Sequence, residues 1–128
     1  MRPAVPGGGV AYLRCLAALE GLVLPEEEAL AIPILHSALT APMKAILRNS
    51  GFEPNPILEQ IRSSQHACGF DVLCGQYGDV VAANIVDPVR VLYTALQTGV
   101  SGAMMGLTTA VLVHKPRINR DEAVDFSP

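Results

Sequence analysis

Apolar positions along most of the chain recur at helical spacing. After Gly7-Gly8-Gly9, the residues Val10, Leu13, Leu16, Ala17 and Leu22 follow a 3.6-residue period, which predicts a helix starting at the glycines and ending near Gly21. Pro25 with Glu26, Glu27 and Glu28 restarts a helix, because proline suits a first turn and carboxylates suit the positive end of the helix dipole. Ile32, Leu35, Leu39, Met43, Ile46 and Leu47 continue its apolar face to a stop at Asn49-Ser50-Gly51. Pro42 removes a hydrogen-bond donor, so a break or kink is expected near Ala41.

Pro54 to Ile61 reads as a short helix carrying Ile57, Leu58 and Ile61 and ended by Ser63-Ser64-Gln65. In Phe70 to Val81, Gly75 and Gly78 separate Asp71-Val72-Leu73 from Asp79-Val80-Val81, which predicts a small hairpin. Asp87-Pro88 is a strong helix start, with aspartate as N-cap and proline at the first helical position. Behind it, Val91, Leu92, Ala95, Leu96 and Gly99 form an apolar stripe that runs to about Gly106. Thr108 to Val113 is β-branched enough to read as a strand closed by Pro116. The fold class is mainly α, a helical bundle with a small β-hairpin and a C-terminal strand.

Composition narrows the picture. At 128 residues, against roughly 150 per domain, the chain makes one domain. Nine basic and twelve acidic residues give a net charge of −3, so the basic footprint of a duplex-DNA binder is missing and no nucleic-acid partner is expected. Hydrophobic residues make up 50% of the chain and charged residues 16%, against about 25% charged in ordinary soluble domains. That excess of aliphatic surface suits helix packing or buried subunit contacts. Cys15, Cys68 and Cys74 match no disulfide framework and read as reduced thiols. Val5-Pro6-Gly7 follows Met1-Arg2-Pro3 directly, without the pattern of a secretory signal. Val91 to Val113 holds no charged residue and is long enough to span a bilayer. Its glycines, threonines and glutamine favour a buried core helix instead, so no membrane partner is expected, although a membrane anchor remains an alternative.

Few residues carry identifiable chemistry. The triple glycine at a helix start lets backbone approach a phosphate, but no P-loop lysine follows, and a simple tight turn into a helix accounts for it equally. Asp71 and Asp87 sit at the edges of regular structure, where a carboxylate accepts hydrogen bonds from ribose hydroxyls or an adenine amino group. For Asp87, capping is the competing role; for Asp71, it is solvation or a turn bond. His66, Cys68 and Cys74 match no zinc spacing, so no metal ligand is assigned. Cys15 reads as a small buried hydrophobe. No nucleophile with its base can be named, and no catalytic residue is assigned.

Taken in order, several motifs resemble the C-terminal part of the equatorial domain of a group I chaperonin, the 60 kDa chaperonin family. They are Val-Pro-Gly-Gly-Gly-Val-Ala at 5–11, Ala-Pro-Met-Lys-Ala-Ile at 41–46, Asn-Ser-Gly-Phe-Glu at 49–53 and Gly-Phe-Asp-Val at 69–72. Ile-Val-Asp-Pro-Val-Arg-Val at 85–91 follows, then Ala-Leu-Gln-Thr-Gly-Val-Ser-Gly at 95–102 and Leu-Thr-Thr-Ala-Val-Leu-Val at 107–113. The likeness runs from Val5 to about Pro116, and it implies a single partial domain over residues 1–128, with 117–128 as a flexible tail.

The resemblance implies an ATP-dependent molecular chaperone that assists protein folding in a stacked ring of like subunits. Co-chaperonin and unfolded clients are then partners through domains other than this one. ATP and magnesium are the implied cofactors. Gly8 falls where the family's backbone contacts the nucleotide, Asp71, Val72 and Leu73 match the segment against the adenosine, and Asp87 matches the acid that binds it. Many relatives have asparagine and two alanines where this chain has Asp71, Val72 and Leu73, and the larger side chains narrow the base pocket. The family's phosphate-binding loop and catalytic aspartate have no counterpart here, so the chain by itself is expected to lack ATPase activity. The implied compartment is the cytoplasm, with the mitochondrial matrix or plastid stroma as alternatives. A second reading is an interaction or scaffold protein that keeps the equatorial fold without ATP chemistry.

Overall fold

A computed structural model describes residues 3–64, 68–111 and 113. The elements in chain order are β1 (Ala4–Pro6), α1 (Val10–Glu20), α2 (Glu26–Ala29), α3 (Ala31–Asn49), α4 (Pro54–Ser63), β2 (Cys68–Asp71), β3 (Gln76–Asp79), β4 (Val86–Pro88) and α5 (Val89–Thr108). The chain divides into two compact units, Met1–Thr94 and Ala95–Pro128. The mainly helical class expected from periodicity is what the chain adopts.

The core of the first unit forms where three helical stripes meet. Val10, Leu13, Leu16 and Leu19 of α1 are buried with Leu39, Met43 and Leu47 of α3 and with Ile57, Leu58 and Ile61 of α4. Val80, just after β3, completes the cluster. Each such side chain contributes about 1.5–3 kcal/mol on leaving water. That explains the outcome at Pro42, where α3 continues to Asn49. Leu39, Met43 and Leu47 flank the proline at helical spacing and are buried on both sides of it, which offsets the roughly 3 kcal/mol that an interior proline costs. The expected stop does form: Gly51 has φ 82°, its N–H donates to the Arg48 carbonyl at 3.0 Å, and the Phe52 N–H donates to the Leu47 carbonyl at 2.9 Å. These paired bonds are a Schellman closure.

The hairpin is present but displaced toward the N-terminus. β2 and β3 pair antiparallel with Phe70 opposite Tyr77 and Asp71 opposite Gln76. Both strands end at the aspartates that the sequence pattern put at strand starts. The Asp71 Oδ1 accepts the N–H groups of Leu73 and Cys74, and the Asp79 Oδ1 accepts those of Val81 and Ala82. An aspartate that satisfies the two amides ahead of it turns the chain and terminates the ladder. Gly69 marks where the hairpin meets α1, since a Cβ there would lie 2.5 Å from the Val80 side chain and 2.8 Å from that of Val10.

Two further expectations are corrected. Asp87 and Pro88 do not open the last helix; they belong to β4, which pairs antiparallel with β1, Val5 opposite Asp87. The helix begins one residue later, at Val89, whose N–H donates to the Pro3 carbonyl at 3.2 Å. The C-terminal strand expected over Thr108 to Val113 is also absent among the described residues. Thr108 ends α5, and the hydroxyls of Thr108 and Thr109 donate back to the carbonyls of Met104 and Met105, local bonds that compete with an extended ladder. Pro116 and the tail at 117–128 lie outside the described residues. By length and composition, the described helical stretch apolar enough to cross a membrane is Glu26–Asn49, not Val91 to Val113. Its buried Leu39, Met43 and Leu47 are core residues.

Candidate functional site

The three glycines have three different jobs. Gly7 donates its N–H to the Ile85 carbonyl at 2.9 Å, and a Cβ there would stand 3.1 Å from the Ile85–Val86 backbone. Gly8 and Gly9 both have positive φ, 65° and 86°, and the Val10 N–H closes the turn onto the Gly7 carbonyl at 3.1 Å. Positive φ at both central positions is the mirror-image turn that glycine adopts without strain. Gly9 is also pressed against α3, because its Cβ would lie 2.9 Å from the Met43 Cβ and 3.0 Å from the Met43 nitrogen. At Gly8 the nearest atom to a Cβ is the Ile85 side chain at 4.0 Å. Only at Gly8, of the three, does the missing side chain leave open room for a ligand.

That room is part of a cleft of about 270 Å³. Gly8 and Ile85 form one end, Met43, Ile46 and Leu47 of α3 one wall, and Phe70, Asp71, Val72 and Leu73 of the hairpin the other. Four of the five residues singled out from sequence, Gly8, Asp71, Val72 and Leu73, thus meet across more than 60 residues of chain. Met43, Ile46, Leu47, Phe70 and Ile85 were not anticipated. The signal for three of them was the Ala-Pro-Met-Lys-Ala-Ile run and its helical continuation to Leu47. Phe70 and Ile85 flank motifs that drew attention only to their aspartates.

The lining is apolar apart from backbone and one carboxylate. Asp71 makes the turn bond weighed for it from sequence. Its Oδ1 accepts the Leu73 N–H at 2.8 Å and the Cys74 N–H at 3.4 Å, and its carbonyl accepts the Gly75 N–H at 2.8 Å. The bond from Leu73 is the main cause that holds the Asp71 carboxyl below its ordinary value. The same carboxylate, accepting from and facing the thiol, pushes Cys74 up. Leu73 stands at the mouth, 92% exposed.

Asp87 is placed elsewhere. It lines a separate pocket of about 240 Å³ with Pro3, Ala4, Val86, Pro88, Arg90 and Val91. No hydrogen bond to its carboxylate exists among the described residues, so the capping expected of it is not made. Its charge is felt by Tyr12, whose phenol is raised first by burial and then by Asp87. Of the local roles weighed from sequence, Asp71 makes its turn bond and Asp87 does not make its cap.

The 270 Å³ cleft suits a flat, largely apolar ring system held between aliphatic walls, with the Gly8 backbone at one end and an acceptor at Asp71. These features fit the adenosine part of a nucleotide. Nothing in them fits its phosphates or a magnesium ion: among the described residues no group of three or more His, Cys, Asp or Glu is placed to hold a metal.

Residues 2–116 match the model of the TCP-1/cpn60 chaperonin family. Among solved structures, the chain is similar to an open-state monomer of a group II chaperonin from Methanococcoides burtonii, with a TM-score of 0.77 and 24% identity, covering 83% of this chain and 28% of that one. It is also similar to a group III chaperonin in the open state, with a TM-score of 0.78 and 26% identity, covering 86% of this chain and 24% of that one. The chain spans about a quarter of the length of these structures. With a family match over nearly its whole length, the chain belongs to the TCP-1/cpn60 chaperonin family.

Proposed function

We propose that the chain forms one wall of an adenine-nucleotide site in an ATP-dependent ring chaperonin that assists protein folding. The observation that carries this reading is the convergence of Gly8 with Asp71, Val72 and Leu73 on one cleft in a chaperonin fold. Like subunits, a co-chaperonin and unfolded clients are the partners that follow, and the cytoplasm the compartment. The group I assignment rests on the motif order from Val5 to Pro116; the solved structures reported above belong to groups II and III, with which it shares its fold. ATP and magnesium are the cofactors of the complete site, and residues outside this cleft hold the phosphates and metal.

Titration of the chain with a fluorescent adenine nucleotide tests the reading. Weak, saturable binding competed by ATP is expected, with no magnesium-dependent hydrolysis. Absence of saturable, ATP-competed binding overturns it. A second reading, a scaffold that keeps the fold without ATP chemistry, is favoured by the bulk of Val72 and Leu73 and by the placement of Asp87 outside the cleft.

A further inference from the structure

Phe52 lies just beyond the Schellman closure of α3, where its N–H is tied to the Leu47 carbonyl at 2.9 Å. Leu47 is itself part of the helix wall of the cleft. The Phe52 ring is half-buried and meets Phe70 of the hairpin wall edge-on, with centroids 4.9 Å apart and planes at 77°. Phe70 in turn meets Tyr77, its cross-strand partner, at 5.0 Å and 68°. On the far side of the turn, a Cβ on Gly75 would stand 3.7 Å from the Phe52 ring. The Phe52 ring thus contacts Phe70, before the Val72-Leu73-Cys74 turn, and lies beside the open face of Gly75, after it, although Phe52 does not line the cleft.

We propose that Phe52 is a positioning residue: its ring locks the hairpin wall to the helix wall and so holds Val72 and Leu73 at their places in the cleft. Backbone bonds fix where Phe52 leaves α3, and edge-to-face packing fixes where Phe70 rests on it. Without the ring, the turn loses its registration against Met43, Ile46 and Leu47, and its Asp71 bonds loosen, the one that holds the exposed Cys74 thiol among them. What this positioning does for a ligand rests on the nucleotide reading; the positioning itself does not.

The test uses the full chain as Phe52→Leu and Phe52→Tyr, with two readouts. The first is alkylation by iodoacetamide, resolved by peptide mass spectrometry, with exposed Cys15 on α1 as internal control. In Phe52→Leu, Cys74 is expected to react about 3- to 10-fold faster, the scale of losing one edge-to-face contact, while Cys15 is unchanged and Phe52→Tyr restores the original rate. Unchanged Cys74, or equal acceleration at Cys15 and Cys74, overturns the proposal. The second is binding of a fluorescent adenine nucleotide, expected to weaken by a similar factor in Phe52→Leu and not in Phe52→Tyr. Equal binding by Phe52→Leu and the original chain overturns the proposal. The expected alkylation pattern with no binding by any form upholds the positioning and counts against the nucleotide reading alone.

Discussion

The Tyr12 hydroxyl donates a 2.7 Å hydrogen bond to the Leu92 carbonyl, joining α1 to the first turn of α5 across 80 residues of sequence. Tyr12→Phe removes this bond while keeping the ring, and is expected to cost about 0.5–1.5 kcal/mol in urea denaturation. Because folding raises the Tyr12 phenol above its ordinary value near 10, its contribution is complete below that pH. It declines as pH rises through the folded value. Tyr12→Phe lacks this titration, so its stability should fall less on going from neutral to alkaline pH than that of the original chain.

Asp87 makes no cap, so Asp87→Ala should change stability by less than about 0.5 kcal/mol, where loss of a true N-cap costs about 1 kcal/mol. The same change should lower the Tyr12 phenol toward its ordinary value by removing the nearby negative charge. An NMR titration of Tyr12 alongside a denaturation curve reads both.

Gly8→Ala and Gly9→Ala should separate clearly in thermal denaturation. Gly8 imposes only the cost of a positive φ, about 1–2 kcal/mol for a side chain there. Gly9 adds collision with Met43 at 2.9 Å, and overpacking contributes roughly another 1–3 kcal/mol. Equal losses at the two positions would show that α3 yields around Met43.

Asp71→Ala should release the Leu73 and Cys74 amides, whereas Asp71→Asn keeps an oxygen acceptor and most of the turn. Amide hydrogen exchange at Leu73 distinguishes the two. Since the folded Asp71 carboxyl is lowered, its support for the turn is present above the ordinary aspartate value of about 3.9 and is lost as pH falls through the lower folded value. Leu73 protection should accordingly survive at pH 4 and disappear only in stronger acid.

How much of the site could be read from residues alone depended on how local its causes are. The triple glycine was legible because consecutive glycines before an apolar period have a backbone meaning that needs no partner, while Gly8 in particular was singled out by the chaperonin resemblance. Asp71 and Asp87 each had two possible local uses, a turn bond or solvation for the first and a cap or a free carboxylate for the second. The choice lay with the next residues' amides for Asp71 and with a strand 80 residues away for Asp87. Phe52 and Ile85 stood inside quoted motifs but were given no place at the site, because an isolated apolar residue in a loop carries no periodic signal.

By itself, the sequence determined the helices α1, α3, α4 and α5, the helix stop at Gly51 and the chaperonin likeness, because periodicity, capping chemistry and motif order are properties of neighbouring residues. Tertiary structure alone decided that α3 runs through Pro42, that β1 and β4 pair, and that Gly8 meets the hairpin in one cleft while Asp87 opens to another. Those outcomes depend on which distant surfaces bury one another. Burial of Leu39, Met43 and Leu47 outweighs a proline's lost bond, and strand pairing with Val5 claims Asp87 and Pro88 before a helix can.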